Sequence, residues 1–432
     1  MREMQMSRVA LVVSLCLVAA LAVVSFEAAR STAAAPAVSY AERMGTRYTP
    51  APTDMNPAPR VVEIPLPNSL SAEAIWGATG RDACGHIWIG VSERGNGGSA
   101  HLFEYAPDSA TLTDRGDVIS ELKYAGLYRS GEGQIKIHTK IIQADDGYLY
   151  FASFDEEGES ANPAIAPKWG GHLWRLQPKA RHWEHLLAIP KGLVAVAGNG
   201  NWIYVLGYWD HVLYQYDTKK RTSRSITVGS VRGHVSRNIV TDSRGHVYLP
   251  RAREWQPGEI SAKPGQLFSA ELVEFDTDLK QVGSTRLDHY IDANGVRDSH
   301  GLIGLSYVAN GSIIVSTHVG YLYRITPANS GAARVEGLGW IHPNGMSYAS
   351  SLFPIDGERY LAAVTTGNAG FQWVVYDLQN REGRAQALPF EGQDLLYGSS
   401  TRDDVGRFYV VGRQKKRPSG SKPILLQVRL AN

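Results

Sequence analysis

IHTKIIQ (137–143), GYLYFAS (147–153), GHLWRLQP (171–178) and HWEHLLAI (182–189) follow one another in a single stretch of the chain. Each is a short apolar or β-branched run, and Asp145-Asp146-Gly147 separates the first two. Alternating side chains punctuated by Asp and Gly read as antiparallel strands, because Gly and Asp supply the backbone turns that strand formers resist. Residues 137–188 therefore form one four-stranded unit.

The unit recurs, and internal repetition decides architecture before any motif does. NWIYVLG (201–207) with HVLYQYDT (211–218) marks the copy at 193–228, and GHVYLPR (245–251) with ELVEFDT (271–277) the copy at 235–287. GSIIVST (311–317) with GYLYRITP (320–327) gives the copy at 302–337, and ERYLAAVTT (358–366) with FQWVVYDL (371–378) that at 347–389. GHIWIGVS (85–92) with HLFEYAP (101–107) defines an earlier copy at 74–117. A last copy, 395–430, holds only three strands: LLYGSST, GRFYVVG and PILLQVRL. Its missing fourth strand is available in VVEIPLP (61–67). Pairing there closes a ring and removes exposed sheet edges. The sequence predicts an all-β, seven-bladed β-propeller over 61–432, its last blade completed by the N-terminal strand at 61–66. No segment shows a convincing 3.6-residue apolar period.

The start of the chain predicts export. Arg2 and Arg8 precede an apolar run at 9–26, and small residues, Ala28-Ala29 and Ala33-Ala34-Ala35, follow. That is the order of a secretory signal, assigned to 1–35, with a Pro-, Thr- and Ala-rich linker over 36–60; the run is also long enough for an uncleaved membrane anchor. The expected location is periplasmic or extracellular, with no membrane contact beyond the export signal. Cys84 is the single cysteine outside the signal, so no intrachain disulfide is available and a large core must stabilise a monomer. A formal charge of +2 with no basic stripe argues against nucleic acid. There is no Walker loop, Gly-x-Ser-x-Gly elbow, EF-hand loop or paired-cysteine knuckle, and the HWEH stretch lacks the spacing of a zinc protease.

In a propeller, the start of each innermost strand and the loop between the second and third strands reach the same end of the channel. His138, His234, His300 and His342 fall at or just before inner-strand starts of four blades. Two long second-to-third-strand loops add Trp169 (154–171) and Arg253 with Trp255 (252–268), while short ones bring Tyr208, Trp209 and His318. Any one of these taken alone reads as a structural loop residue. Their shared place in the repeat predicts one site rich in His, Tyr, Trp and Arg.

The segments GQIKIHT (133–139), DGYLY (146–150), GGHLW (170–174), GHVSRN (233–238) and DSRGHVYLPR (242–251) resemble bacterial propeller polysaccharide lyases, in particular the seven-bladed ulvan lyases. The resemblance implies β-elimination on an acidic, uronate-containing polysaccharide. Such a reaction needs a group to offset the carboxylate, a base for the C5 proton and an acid for the departing oxygen. Arg237 and Arg251 suit the first task, since a guanidinium grips a carboxylate through two bonds. His138 or His234 suits the second, and Tyr208 the third. Trp169, Trp209, Arg253 and Trp255 would bind the sugar. Some related lyases use a divalent metal (Mn, Zn or Ca) to neutralise charge; here His234, His300 and His342 would hold it, leaving His138 as base. Two other classes stay open. One is a calcium-dependent lactonase-type propeller, suggested by Pro343-Asn344-Gly345. The other is a propeller that binds glycan or protein without catalysis.

Overall fold

A computed structural model describes residues 58–67, 71–93, 95, 97–159, 165–231, 233–255, 268–290, 300–367, 370–391, 395–415 and 420–430. The expected signal (1–35) and the linker up to residue 57 lie outside the described residues. The propeller belongs to the compact unit Tyr40–Asn432.

Seven antiparallel sheets follow the predicted repeat. Blade 3 shows the plan without interruption. Its strands Gly192–Asn199, Trp202–Tyr208, Val212–Asp217 and Thr222–Thr227 pair in sequence order, from the channel outward. Blades 1 and 2 differ only in a broken inner strand. Ala72–Ala74 and Thr79–Arg81 both pair with Ile87–Glu93, and Lys136–Ile137 and Ile142–Gln143 both pair with Leu149–Phe154. The breaks place Trp76 and His138 off the ladder. Thr139 fills the second gap, its Oγ1 accepting from the Ala152 N–H at 2.9 Å. Gly80 has no room for a side chain, since a Cβ there would lie 1.8 Å from the Ile141 carbonyl oxygen.

The ring closes as the sequence predicts. Arg60–Glu63 pairs with Ser421–Arg429 in register from Arg60↔Arg429 to Glu63↔Leu426, and the Ile64 N–H donates to the Leu425 carbonyl at 2.8 Å. Packing shows the closure independently. The buried apolar side chains fall into seven clusters, each shared by two neighbouring blades. The cluster of Ile75, Ile87, Phe103, Tyr409 and Leu425 joins blade 7 to blade 1. With as many interfaces as blades, no sheet face is left uncovered.

Acidic turns between first and second strands fasten blades 1, 4 and 7 in the same way. Asp82 Oδ1 accepts from the N–H groups of Cys84 and His86 at 2.9 and 3.0 Å; Asp242 Oδ1 does the same for Arg244 and His246. Asp403 repeats the pattern with Val405 and Arg407. This explains the recurrent Asp before Gly as a side chain that replaces lost backbone partners.

One element departs from the sequence expectation. Val118–Tyr124 is an α-helix, capped by Asp117 on the Ser120 N–H, between blades 1 and 2. Seven residues make two turns, too few for a periodic signal, and Val118, Ile119 and Leu122 bury against blades 1 and 2. No helix among the described residues is long and apolar enough to cross a membrane.

Candidate active site

The broken inner strands converge with neighbouring strand openings at one mouth of the channel. His138 packs 6.5 Å from the Trp76 ring and 6.1 Å from Phe154. Trp76 in turn meets Tyr397 of blade 7 at 4.6 Å, and the Arg237 guanidinium lies 4.7 Å from the centre of the Tyr397 ring. Arg237 reaches His300 of blade 5, with Nη2 3.4 Å from Nε2. His300 Nδ1 is 3.1 Å from the Tyr348 hydroxyl of blade 6, and its backbone N–H donates to His318 Nδ1 at 3.2 Å. Blades 1, 2, 4, 5, 6 and 7 thus each contribute at least one side chain.

Electrostatics within this group follow from burial beside cations. His138 is held well below the usual histidine range, first by burial and then by Arg237, Lys136 and His300. His300 is pushed down to about 2 by burial, Arg237 and His318. Both rings are therefore neutral near pH 7. Tyr348 is pushed up by burial, with Arg237 opposing. Deeper in the channel Lys140 donates to the Gly398 carbonyl at 2.7 Å, and burial followed by Arg237 brings it down to about 7.

Three nitrogens at the mouth, all sealed from solvent, lack hydrogen-bond partners: Nη1 of Arg237, Nδ1 of His138 and Nε1 of Trp76. An unmatched buried donor costs on the order of 1–3 kcal/mol, more when charged. A carboxylate is the partner that would suit a guanidinium edge best.

Tyr208 borders this group without joining it. Its ring stands edge-on to Phe154 at 5.8 Å, on the side away from blade 1, and a recess lined by Asp155, Glu159, Ile165, Lys191 and Trp209 surrounds it. Burial, then Glu159 and Glu156, raise Tyr208 well above the ordinary phenol range. Trp209 packs edge-on against Tyr208 at 4.9 Å.

Other residues expected at the site sit elsewhere or are engaged. His234 is fully buried, with Nδ1 2.6 Å from Ser230 Oγ and Nε2 2.7 Å from the Tyr290 hydroxyl. A tight turn, with the His234 N–H on the Val231 carbonyl, tucks the ring beneath the mouth, where it has no free nitrogen to act as base. His342 contacts Gln372 Oε1 through Nε2 at 2.6 Å, and its Nδ1 accepts from the Asn344 N–H. Pro343-Asn344-Gly345 is the turn that makes this contact. His234, His300 and His342 are consequently not within joint ligand reach, which corrects the proposed metal set; the described clusters with such reach are Asp82–His86–Glu104 and Asp242–His246–Glu274. Arg251 lies opposite Glu271 in the ladder and bonds it at 2.7 Å, so its fork is already matched. Trp169 bonds Glu157 and is flanked by Arg129 and Lys168, and Trp255 lies under Arg286. Arg253 is on the same strand as Arg251, and its Nη1 reaches the Glu254 carbonyl at 3.4 Å. Residues 256–267, the rest of that long loop, lie outside the described residues.

Trp76, Tyr348 and Tyr397 were missed by reading histidines alone. Tyr348 opens its inner strand, and a search extended to aromatics finds it; Trp76 lies in the break after Ala72–Ala74 and Tyr397 ends Leu395–Tyr397, places that the positional rule does not mark.

No family model matches the chain, and no curated protein matches it. Solved structures do. A protein of unknown function from Dyadobacter fermentans is 13% identical with a TM-score of 0.50, covering 87% of this chain and 100% of that one. The likeness is one of fold. The β-propeller domain of Myceliophteria thermophila Cps50 (Swd1) is 11% identical with a TM-score of 0.49, covering 88% of this chain and all of its own. A fungal alcohol oxidase of the AA5 family, in complex with copper, is 11% identical at 0.49, covering 87% of this chain and 77% of its own. These partners share an architecture that carries many unrelated functions.

Proposed function

We propose that the channel mouth is the active site of an exported, monomeric polysaccharide lyase that cleaves an acidic, uronate-containing polysaccharide by β-elimination. The observation that carries this reading is the unpartnered Nη1 of Arg237 beside the unpartnered Nδ1 of a neutral His138. Arg237 would take the C5 carboxylate and stabilise the charge that builds on it as the C5–H bond breaks. His138 would accept that proton at Nδ1, which substrate entry would have to uncover. The electron pair left at C5 forms the C4–C5 double bond as the C4–O bond breaks, and a phenol protonates the leaving oxygen.

Substrate binding would also tune the base. The Arg237 charge helps hold the His138 pKa down. A bound carboxylate offsets that charge, so His138 becomes a stronger base once substrate is in place. Tyr208 and Tyr348 both border the spot and both are protonated at neutral pH. Tyr208 is our choice of acid; its hydroxyl pairs with Glu159 as that of Tyr348 pairs with His300, so the two phenols are compared directly by substitution.

The test is turnover of uronate polysaccharides by His138→Ala, Tyr208→Phe, Tyr348→Phe and Arg237→Lys. Losses of about 10²–10⁴-fold for His138→Ala and Tyr208→Phe with an unchanged fold support the assignment. Near-normal rates in all four would reject the site.

A further inference from the structure

The repeat places the same three-residue cluster on blades 1 and 4, at the end of the blades opposite the mouth. Each has an Asp on the first turn, a His four residues later, and a Glu on the third strand: Asp82, His86 and Glu104, and Asp242, His246 and Glu274. The ladders put the two glutamates at equivalent positions, Glu104 opposite Trp88 and Glu274 opposite Tyr248. In both, the ligand atoms lie within 4.8 Å of one another.

The copies differ in what lies between the carboxylates. In blade 4 Arg244 bridges them, with Nη2 2.9 Å from Asp242 Oδ2 and 2.8 Å from Glu274 Oε1. Other blades also balance the turn Asp from within. Arg407 pairs with Asp403 in blade 7, where Gln427 replaces the Glu, and Arg175 stands 3.6 Å from Asp146 in blade 2. In blade 1 the position of Arg244 is taken by Cys84, whose side chain carries no such cation. Arg115 meets only the outer oxygen of Glu104, at 3.1 Å, and its other donors go to the Pro178 and Ala180 carbonyls. Asp82 Oδ2 takes the Trp88 indole N–H at 2.9 Å and lies 4.0 Å from His86 Nδ1, which contacts Glu104 Oε1. Asp82 is buried, while His86 is half-exposed and gives a route from solvent.

We propose that blade 1 holds a divalent transition-metal ion, of which Zn²⁺ is the fitting type, on Asp82 Oδ2, His86 Nδ1 and Glu104 Oε1. One imidazole and two carboxylates suit zinc, and a water completes the tetrahedron on the solvent side. The ion takes the charge role that Arg244 plays in blade 4. It ties the first turn to the third strand in the blade that packs against the closing blade 7. A ligand bound only by the folded state raises stability by mass action.

The experiment is calorimetric titration of the chelator-treated full-length protein with ZnCl₂, together with thermal unfolding with and without the metal. The expected result is one Zn²⁺ per chain and a rise in Tm on loading. His86→Ala and Glu104→Gln should each weaken binding at least tenfold, and His246→Ala should leave it unchanged. Cys84→Arg should abolish binding and raise the Tm of the metal-free protein, because the guanidinium then fills the gap. Arg244→Cys should raise the stoichiometry to two. Cys84→Ser should bind as the parent does. Absence of saturable binding, or binding that survives both His86→Ala and Cys84→Arg, would overturn the proposal, as would loss on Cys84→Ser, which would make the thiol the ligand.

Discussion

Arg237→Gln removes the charge around which the mouth is organised, and its effect can be worked from the geometry. Nη2 of Arg237 lies 3.4 Å from Nε2 of His300. Two unit charges about 4 Å apart interact by about 4 kcal/mol at an effective dielectric near 20. That is an upper limit, because burial is the larger cause of the fall of His300 from 6.5 to about 2, which leaves Arg237 less than half of it, at most about a hundredfold in the proton equilibrium. His300, which titrates near 2 in the parent, should therefore move up strongly but stay below its ordinary value, because burial is the larger cause and persists. His138 should move in the same direction. Histidine side-chain NMR, carried from pH 7 down to the lowest pH at which the fold persists, reads both rings, with His211 as an internal control whose shift involves burial and not Arg237. Turnover should fall by at least the 10²-fold expected for loss of a charge-stabilising donor. A His300 midpoint that does not rise in the variant would refute the argument that Arg237 sets the field of the site.

Further outcomes follow from the packing. Trp373 is fully buried between Phe353 and Phe408, so Trp373→Ala should cost about 3–5 kcal/mol in chemical unfolding. Deleting residues 58–64 should expose the outer edge of Ser421–Arg429 and give aggregates on size exclusion; a monodisperse, folded product would contradict strand closure. Stability should fall on acidification because His211 is buried and pushed down to about 4. Below pH 6.5 the unfolded chain binds a proton that the folded one excludes, so stability is lost between about 6.5 and 4. For His211 this amounts to about 3 kcal/mol, and His211→Gln should flatten the pH profile of urea unfolding over that interval.

The fold was legible because each blade repeats its own punctuation. Asp82, Asp242 and Asp403 mark first turns by capping them, and the three-stranded last copy announced the missing strand at Val61. The grouping of His138, Arg237 and His300 at the mouth was legible in part by position, and the partners of each side chain less so. His138 and His234 look alike in sequence, both at inner-strand openings. What separates them is a turn at Val231 and the hydroxyl of Tyr290, 56 residues away from His234 in the chain. Arg237 and Arg251 divide on similar grounds, since Arg251 faces Glu271 through a ladder register that only pairing reveals. The helix Val118–Tyr124 escaped because its apolar face is completed by blades 1 and 2, not by its own periodicity.

The most direct measurement is mass spectrometry of the oligosaccharides released from a panel of uronate polysaccharides, read with the ultraviolet absorbance of a C4–C5 double bond. The account predicts products one water lighter than hydrolysis would give, absorbing in the ultraviolet, and lost with Arg237→Gln and His138→Ala. Products carrying the added water, or the same unsaturated products from both variants, would contradict it.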